Sequence, residues 1–126
     1  MDENFAYELV EKTSKFAGVV GHHYRMYSQK WLNESYYYLK SDKGAVWSHQ
    51  VTIWVPNELD PDLAHASFLA IGGGNYGPEP NYNYVEQKMI RTLAVLTKSI
   101  TVFIKLVFIF NWKRVKSTLE WCEART

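Results

Sequence analysis

Four consecutive positions, Gly72, Gly73, Gly74 and Asn75, follow directly on an apolar run. A glycine cluster in that place has three chemical uses. With Gly77 it satisfies the G-x-G-x-x-G pattern, in which bare amides at a helix N-terminus receive a pyrophosphate. Pro78 and Pro80 delay the helix, however, and no acidic residue stands between Glu86 and Glu120 to take a ribose hydroxyl. A P-loop needs Lys-Ser/Thr after its last glycine, and Pro78-Glu79 occupies that place. The third use is an oxyanion loop, whose exposed backbone N–H groups point at developing negative charge. Against these stands a plain turn at a sheet edge, for which glycine supplies conformational freedom. Spacing alone leaves the oxyanion loop and the turn both open.

Other reactive side chains are sparse. His22, His23, His49 and His65 lack the H-E-x-x-H or carboxylate spacing of a metal centre, and adjacent histidines on a strand point to opposite faces, so no metal is expected. His49 lies on an otherwise apolar alternation, which favours a core histidine over a base. Cys122 is the only cysteine, so the chain contains no internal disulfide or CxxC pair. None of the eight serines has glycine two residues before and two after it, the mark of a nucleophile elbow. No catalytic residue and no cofactor is therefore assigned. Asp60 and Asp62 read as a solvated turn, and Asn33-Glu34-Ser35 is an N-glycosylation sequon in a predicted loop.

Whatever these residues do, one compact domain must position them, since 126 residues bury one core and not two. A formal net charge of +1 with scattered lysines and arginines gives no footprint for nucleic acid. The acidic start, Met1 to Lys12, shows no signal peptide. The longest apolar run, 100–112, is too short to span a bilayer and contains Lys105.

Aromatic content of 16% in alternating segments favours a sheet. A first strand is expected over 5–9, with a short helix as the alternative, and a second over 22–32. The segment 46–56 alternates most clearly: Trp47, His49, Val51, Ile53 and Val55 share one face, and Ser48, Gln50 and Thr52 line the other. The run 66–71 is continuously apolar, as a strand covered on both faces would be. Over 84–98 the period becomes helical, with Val85, Met89, Leu93 and Leu96 on one stripe beside Ile90. Strand returns at 100–110, which makes strand, helix, strand a βαβ crossover with a parallel pair. A second helix is expected over 113–124, where Val115, Leu119 and Cys122 align.

The order of these elements, antiparallel strands, buried strand, glycine loop, helix and parallel strand, is how α/β-hydrolases begin. Specific residues then resemble one family. Phe5-Ala6-Tyr7-Glu8-Leu9, Ser28-Gln29-Lys30-Trp31, Trp47-Ser48-His49 with Ile53 and Pro56, and Gly73-Gly74-Asn75 follow the order and spacing of motifs in the PhoPQ-activated pathogenicity-related family, which includes autocrine proliferation repressors. The resemblance covers about 4–100. The residues 101–126 diverge, with no proline after Pro80 where the family carries a Pro-Asn-Gln-Pro loop.

The resemblance implies a partial α/β-hydrolase-like fold: an antiparallel meander, one βαβ crossover and a C-terminal helix, in a single truncated domain over 1–126. It implies an extracellular setting, and a serine nucleophile in a later part of longer relatives that has no counterpart here. Gly72, Gly73, Gly74 and Asn75 would be the oxyanion loop of that scaffold. The expected role is then non-catalytic, with the missing remainder of the fold or an unknown protein as partner. The alternative is a small binding module using a sheet edge or the glycine loop.

Overall fold

In a computed structural model of the chain, residues 2–10, 13–30, 44–74 and 85–107 are described. They form β1 (Ala6–Leu9), β2 (Ser14–Phe16), β3 (Val19–Lys30), β4 (Val46–Pro56), β5 (Ser67–Gly74), α1 (Val85–Thr97) and β6 (Ile100–Val107), with one 3-10 turn at Pro61–Leu63. The strands make one mixed sheet in the order β1-β3-β4-β6-β5, and β2 pairs with β3 beside β1. The pairs β1/β3, β3/β4 and β4/β6 are antiparallel, and β5/β6 is parallel.

This corrects the expected fold class. The described residues are mostly sheet, with one α-helix and one βαβ crossover, and do not make an α/β-hydrolase-like fold of repeated βαβ units. The physical reason lies in how the chain is spent. β3 and β4 run for 12 and 11 residues, so antiparallel pairing dominates, and only 85–97 among the described residues carries helical periodicity. The crossover itself forms as expected, with α1 joining the parallel strands β5 and β6. The C-terminal helix expected over 113–124 lies outside the described residues.

Two edges of the sheet are built differently. β1 and β2 together cover one side of β3: β1 takes Tyr24 to Tyr27 and β2 takes Val19 to Gly21. They form one interrupted edge strand. β2 was not foreseen, because three residues are too few to show a period. β5 is the other edge, eight residues long and uncharged.

α1 lies against one face and decides which side is the core. Val19, Trp54 and Ala94 are buried together, with Ile90 packed on them. The indole of Trp54 sits directly over Gly21, where a Cβ would collide with the ring. The β4 alternation is present as expected, but the side holding Ser48, Thr52 and Trp54 is the buried one. The helical stripe also differs. Gln87 and Ala94 face the sheet, while Val85, Met89 and Leu96 are exposed, Leu96 at 76%.

Turn chemistry closes the remaining ends. The Asp60 carboxylate accepts from the Asp62 amide at 2.9 Å and caps the 3-10 turn, so this aspartate pair is indeed an exposed turn. After α1, Lys98 adopts a left-handed conformation at φ 52°, which reverses the chain into β6.

Candidate functional site

The glycine cluster belongs to β5 and not to a loop after it. Gly72, Gly73 and Gly74 are paired in parallel register with Lys105, Leu106 and Val107. Gly72 has a packing cause, since a Cβ there would lie 2.7 Å from the Phe103 ring. Gly73 has none: a Cβ would meet nothing within 4 Å, and its φ is not positive. Asn75 and the sequon residue Asn33 lie outside the described residues. As an edge strand, β5 turns alternate backbone groups away from β6, and these are what the glycine segment offers as free amides.

Two side-chain clusters stand out that the sequence did not reveal. The first is a buried polar chain under α1. The Trp54 indole N–H donates to Gln87 Oε1 at 3.0 Å, and Gln87 Nε2 donates to Thr52 Oγ1 at 3.1 Å. Thr52 Oγ1 lies 3.2 Å from His23 Nδ1, and His23 Nε2 lies 2.9 Å from Ser14 Oγ. With Gln87 donating to Thr52, the threonine hydroxyl is free to donate to Nδ1, which leaves His23 protonated on Nε2 and donating to Ser14. The direction of every bond is then consistent. The chain ties β2, β3, β4 and α1 together, and buried groups so satisfied fix one register. Beside it the Arg91 guanidinium lies 3.8 Å above the Phe16 ring.

The second cluster is on the opposite face. Between Tyr27 and Lys30 the β3 register slips against β4, where Ser48 and Val46 are the partners, so three steps on one strand meet two on the other. That bulge brings Ser28 Oγ to 2.8 Å from His49 Nε2. A serine bonded to an imidazole is the start of a nucleophile–base pair. Among the described residues there is no third member: His49 is buried, and its Nδ1 has no hydrogen-bond partner. Desolvation holds the imidazole below the usual histidine range. The tautomer follows from cost. Burying a bare N–H is worse than burying a bare lone pair, so the proton sits on Nε2 and is donated to Ser28. An imidazole donating to the serine cannot take its proton. The pair is a clamp across the bulge.

His22, His23, His49 and His65 do not converge, and no group of three histidine, cysteine or acidic side chains able to hold a metal occurs among the described residues. No helix among them is long and apolar enough to cross a membrane.

What remains is an apolar surface. On the face away from α1, Phe5, Tyr7, Tyr24, Met26, Val51 and Ile53 line an open hollow of about 300 Å³. Tyr7 and Tyr24 meet edge to face with centroids 6.4 Å apart. By register the same face continues through Val102 and Ile104 on β6 to Leu69 and Ile71 on β5, which are 52% and 60% exposed. No described element lies over it. The run 66–71, expected to be covered on both faces, is open on this one, and Phe68 on the α1 side is also 48% exposed.

Fold and site together define a mixed-sheet protein with one covered face, one bare apolar face and no assembled catalytic constellation among its described residues. Its sequence places it more narrowly. The profile of the PhoPQ-activated pathogenicity-related protein family matches residues 1–110, and the chain belongs to that family. No curated protein and no solved structure matches it.

Proposed function

We propose that this chain is a non-catalytic relative of serine hydrolases and peptidases that works by binding another protein, in a regulatory role. The bare apolar face carries the reading: its one charged side chain among the described residues is Lys15 at the β2 corner, and a sheet surface so apolar with nothing described above it is an association surface, since apolar patches of this extent mark interaction sites. The uncharged β5 edge adds a second means of contact, strand addition.

The Ser28–His49 pair speaks against hydrolysis: a buried Nδ1 without a partner favours the tautomer that donates from Nε2, and no carboxylate among the described residues orients the ring. A fluorophosphonate probe separates the two readings. The expected result is no labelled serine, together with strong fluorescence from a dye that binds exposed apolar surface. Labelling of Ser28 that disappears in His49→Ala would replace the binding reading with a catalytic one.

A further inference from the structure

We infer that the partner for the bare sheet face is a second copy of this chain, stacked face to face about a two-fold axis that runs along the strands. This rests on the reading of the chain as an association module and names its partner.

Charge is the first argument. Tyr7 and Leu9 on β1, Tyr24 and Met26 on β3, Val51 and Ile53 on β4, Val102 and Ile104 on β6, and Leu69, Ile71 and Gly73 on β5 share this side by register. None of these is charged. Among the described residues one charged side chain does share the side, Lys15 on β2 at its corner opposite Val20, and a two-fold axis along the strands sets it against the uncharged β5 strand and not against its own copy. The other titratable groups beside the tyrosines are His22 and His49, and burial disfavours a charge on His49. An isologous interface apposes each patch to its own copy or to a related one, so a face with a single charge at one corner meets itself without like-charge contact.

Size is the second. Five strands at about 4.8 Å spacing, averaging about eight residues at about 3.3 Å, give roughly 600 Å² in plan for one copy. Two copies then bury about 1,200 Å², the lower limit for a specific interface, so the dimer is expected to be weak and reversible. Paired sheets stack about 10 Å apart with their strands nearly aligned, a geometry that two twisted copies adopt readily.

Shape sets the axis. The β1 end of the face is bulky, with Phe5, Tyr7 and Tyr24, and the β5 end, which carries Leu69 and Ile71, has a notch at Gly73, which projects nothing and lies in the same register row as Tyr7. Rotation about an axis along the strands lays the bulky end of one copy on the notched end of the other. Rotation about the perpendicular in-plane axis would set aromatics on aromatics and leave a gap at the glycines. The interface also explains Gly73, which no contact or backbone torsion within the described residues requires. A glycine in a strand commonly marks the approach of another chain.

The experiment is sedimentation of the full chain over a range of concentrations. A monomer–dimer equilibrium is expected, weakened about tenfold or more by Gly73→Val and by Tyr7→Lys, with the circular dichroism spectrum unchanged. Within one copy these positions lie four strand spacings apart, about 19 Å, too far to interact. Across the dimer they touch, so the double substitution is expected to weaken association by less than the product of the single effects. A monomer at every concentration that still binds an apolar-surface dye overturns the second-copy inference and leaves the association reading standing. A monomer that binds no dye ends both. Assembly that ignores both substitutions overturns the inference as well.

Discussion

His49 shows how a residue's chemistry is set by what surrounds it. Its imidazole stands opposite Met26, is bonded through Nε2 to Ser28 on the β3 bulge, and is left without a partner at Nδ1. Protonation would bury a charge facing no carboxylate, so desolvation lowers its pKa from the model-compound value of 6.5. The sign of the linkage follows. Below the unfolded pKa the denatured chain binds a proton that the folded chain refuses, so His49 stabilises the fold fully above that value and its contribution fades as pH falls through it toward the lower folded pKa. Denaturant unfolding followed from neutral to acid pH is expected to show a stability slope that is shallower in His49→Gln, which has nothing to protonate. An unchanged slope would mean that water reaches the ring. Neither the clamp nor the Ser14–His23–Thr52–Gln87–Trp54 chain was legible in the sequence, because both depend on register: His23 and Thr52 meet only through the pairing of β3 with β4.

Elements were more legible than the faces they present. The alternation of 46–56 and the helical period of 84–98 both gave real elements, β4 and α1, with ends close to those expected. What the pattern could not decide was which side α1 would cover. Val51, Ile53 and Val55 outnumber the apolar residues opposite them, yet the helix packs on Trp54, whose indole spans Gly21 and anchors to Gln87. One large ring and a polar chain outweighed a row of β-branched residues. The strand limit at β5 was misplaced for a related reason: glycine is a poor strand former, yet pairing with β6 carries the strand on through Gly74. This gives a paired test at adjacent positions. Gly72→Ala brings a methyl against the Phe103 ring, so a loss of about 1–3 kcal/mol is expected, the range for overpacking. Gly73→Ala meets open space within one copy and, at dilution where the chain is monomeric, is expected to be neutral or to stabilise by about 0.4–1 kcal/mol through the unfolded chain. Equal effects in thermal or denaturant melts would show that the glycines serve a turn and not a packed strand.

At the scale of the molecule, the sheet is closed by α1 on one side only, and the helix itself leaves Val85, Met89, Leu93 and Leu96 around an outer groove of about 350 Å³. A single chain so built buries less apolar surface than its length allows, and its stability then depends on what it meets. If the bare sheet face is covered by a second copy, unfolding is coupled to dissociation, and mass action requires the melting temperature to rise with chain concentration. Melts over roughly a hundredfold range of concentration are expected to shift upward by several degrees, since RT ln of that factor is about 2.7 kcal/mol and each kcal/mol moves a domain of this size by a few degrees. The Tyr7→Lys chain is expected to melt lower and to lose the concentration dependence, because the residue is 71% exposed in one copy and contributes to stability only where the copies meet. A midpoint independent of concentration in both chains would place the whole stability in one copy, and the covered face of β3, β4 and β6 under α1 would then be a sufficient core.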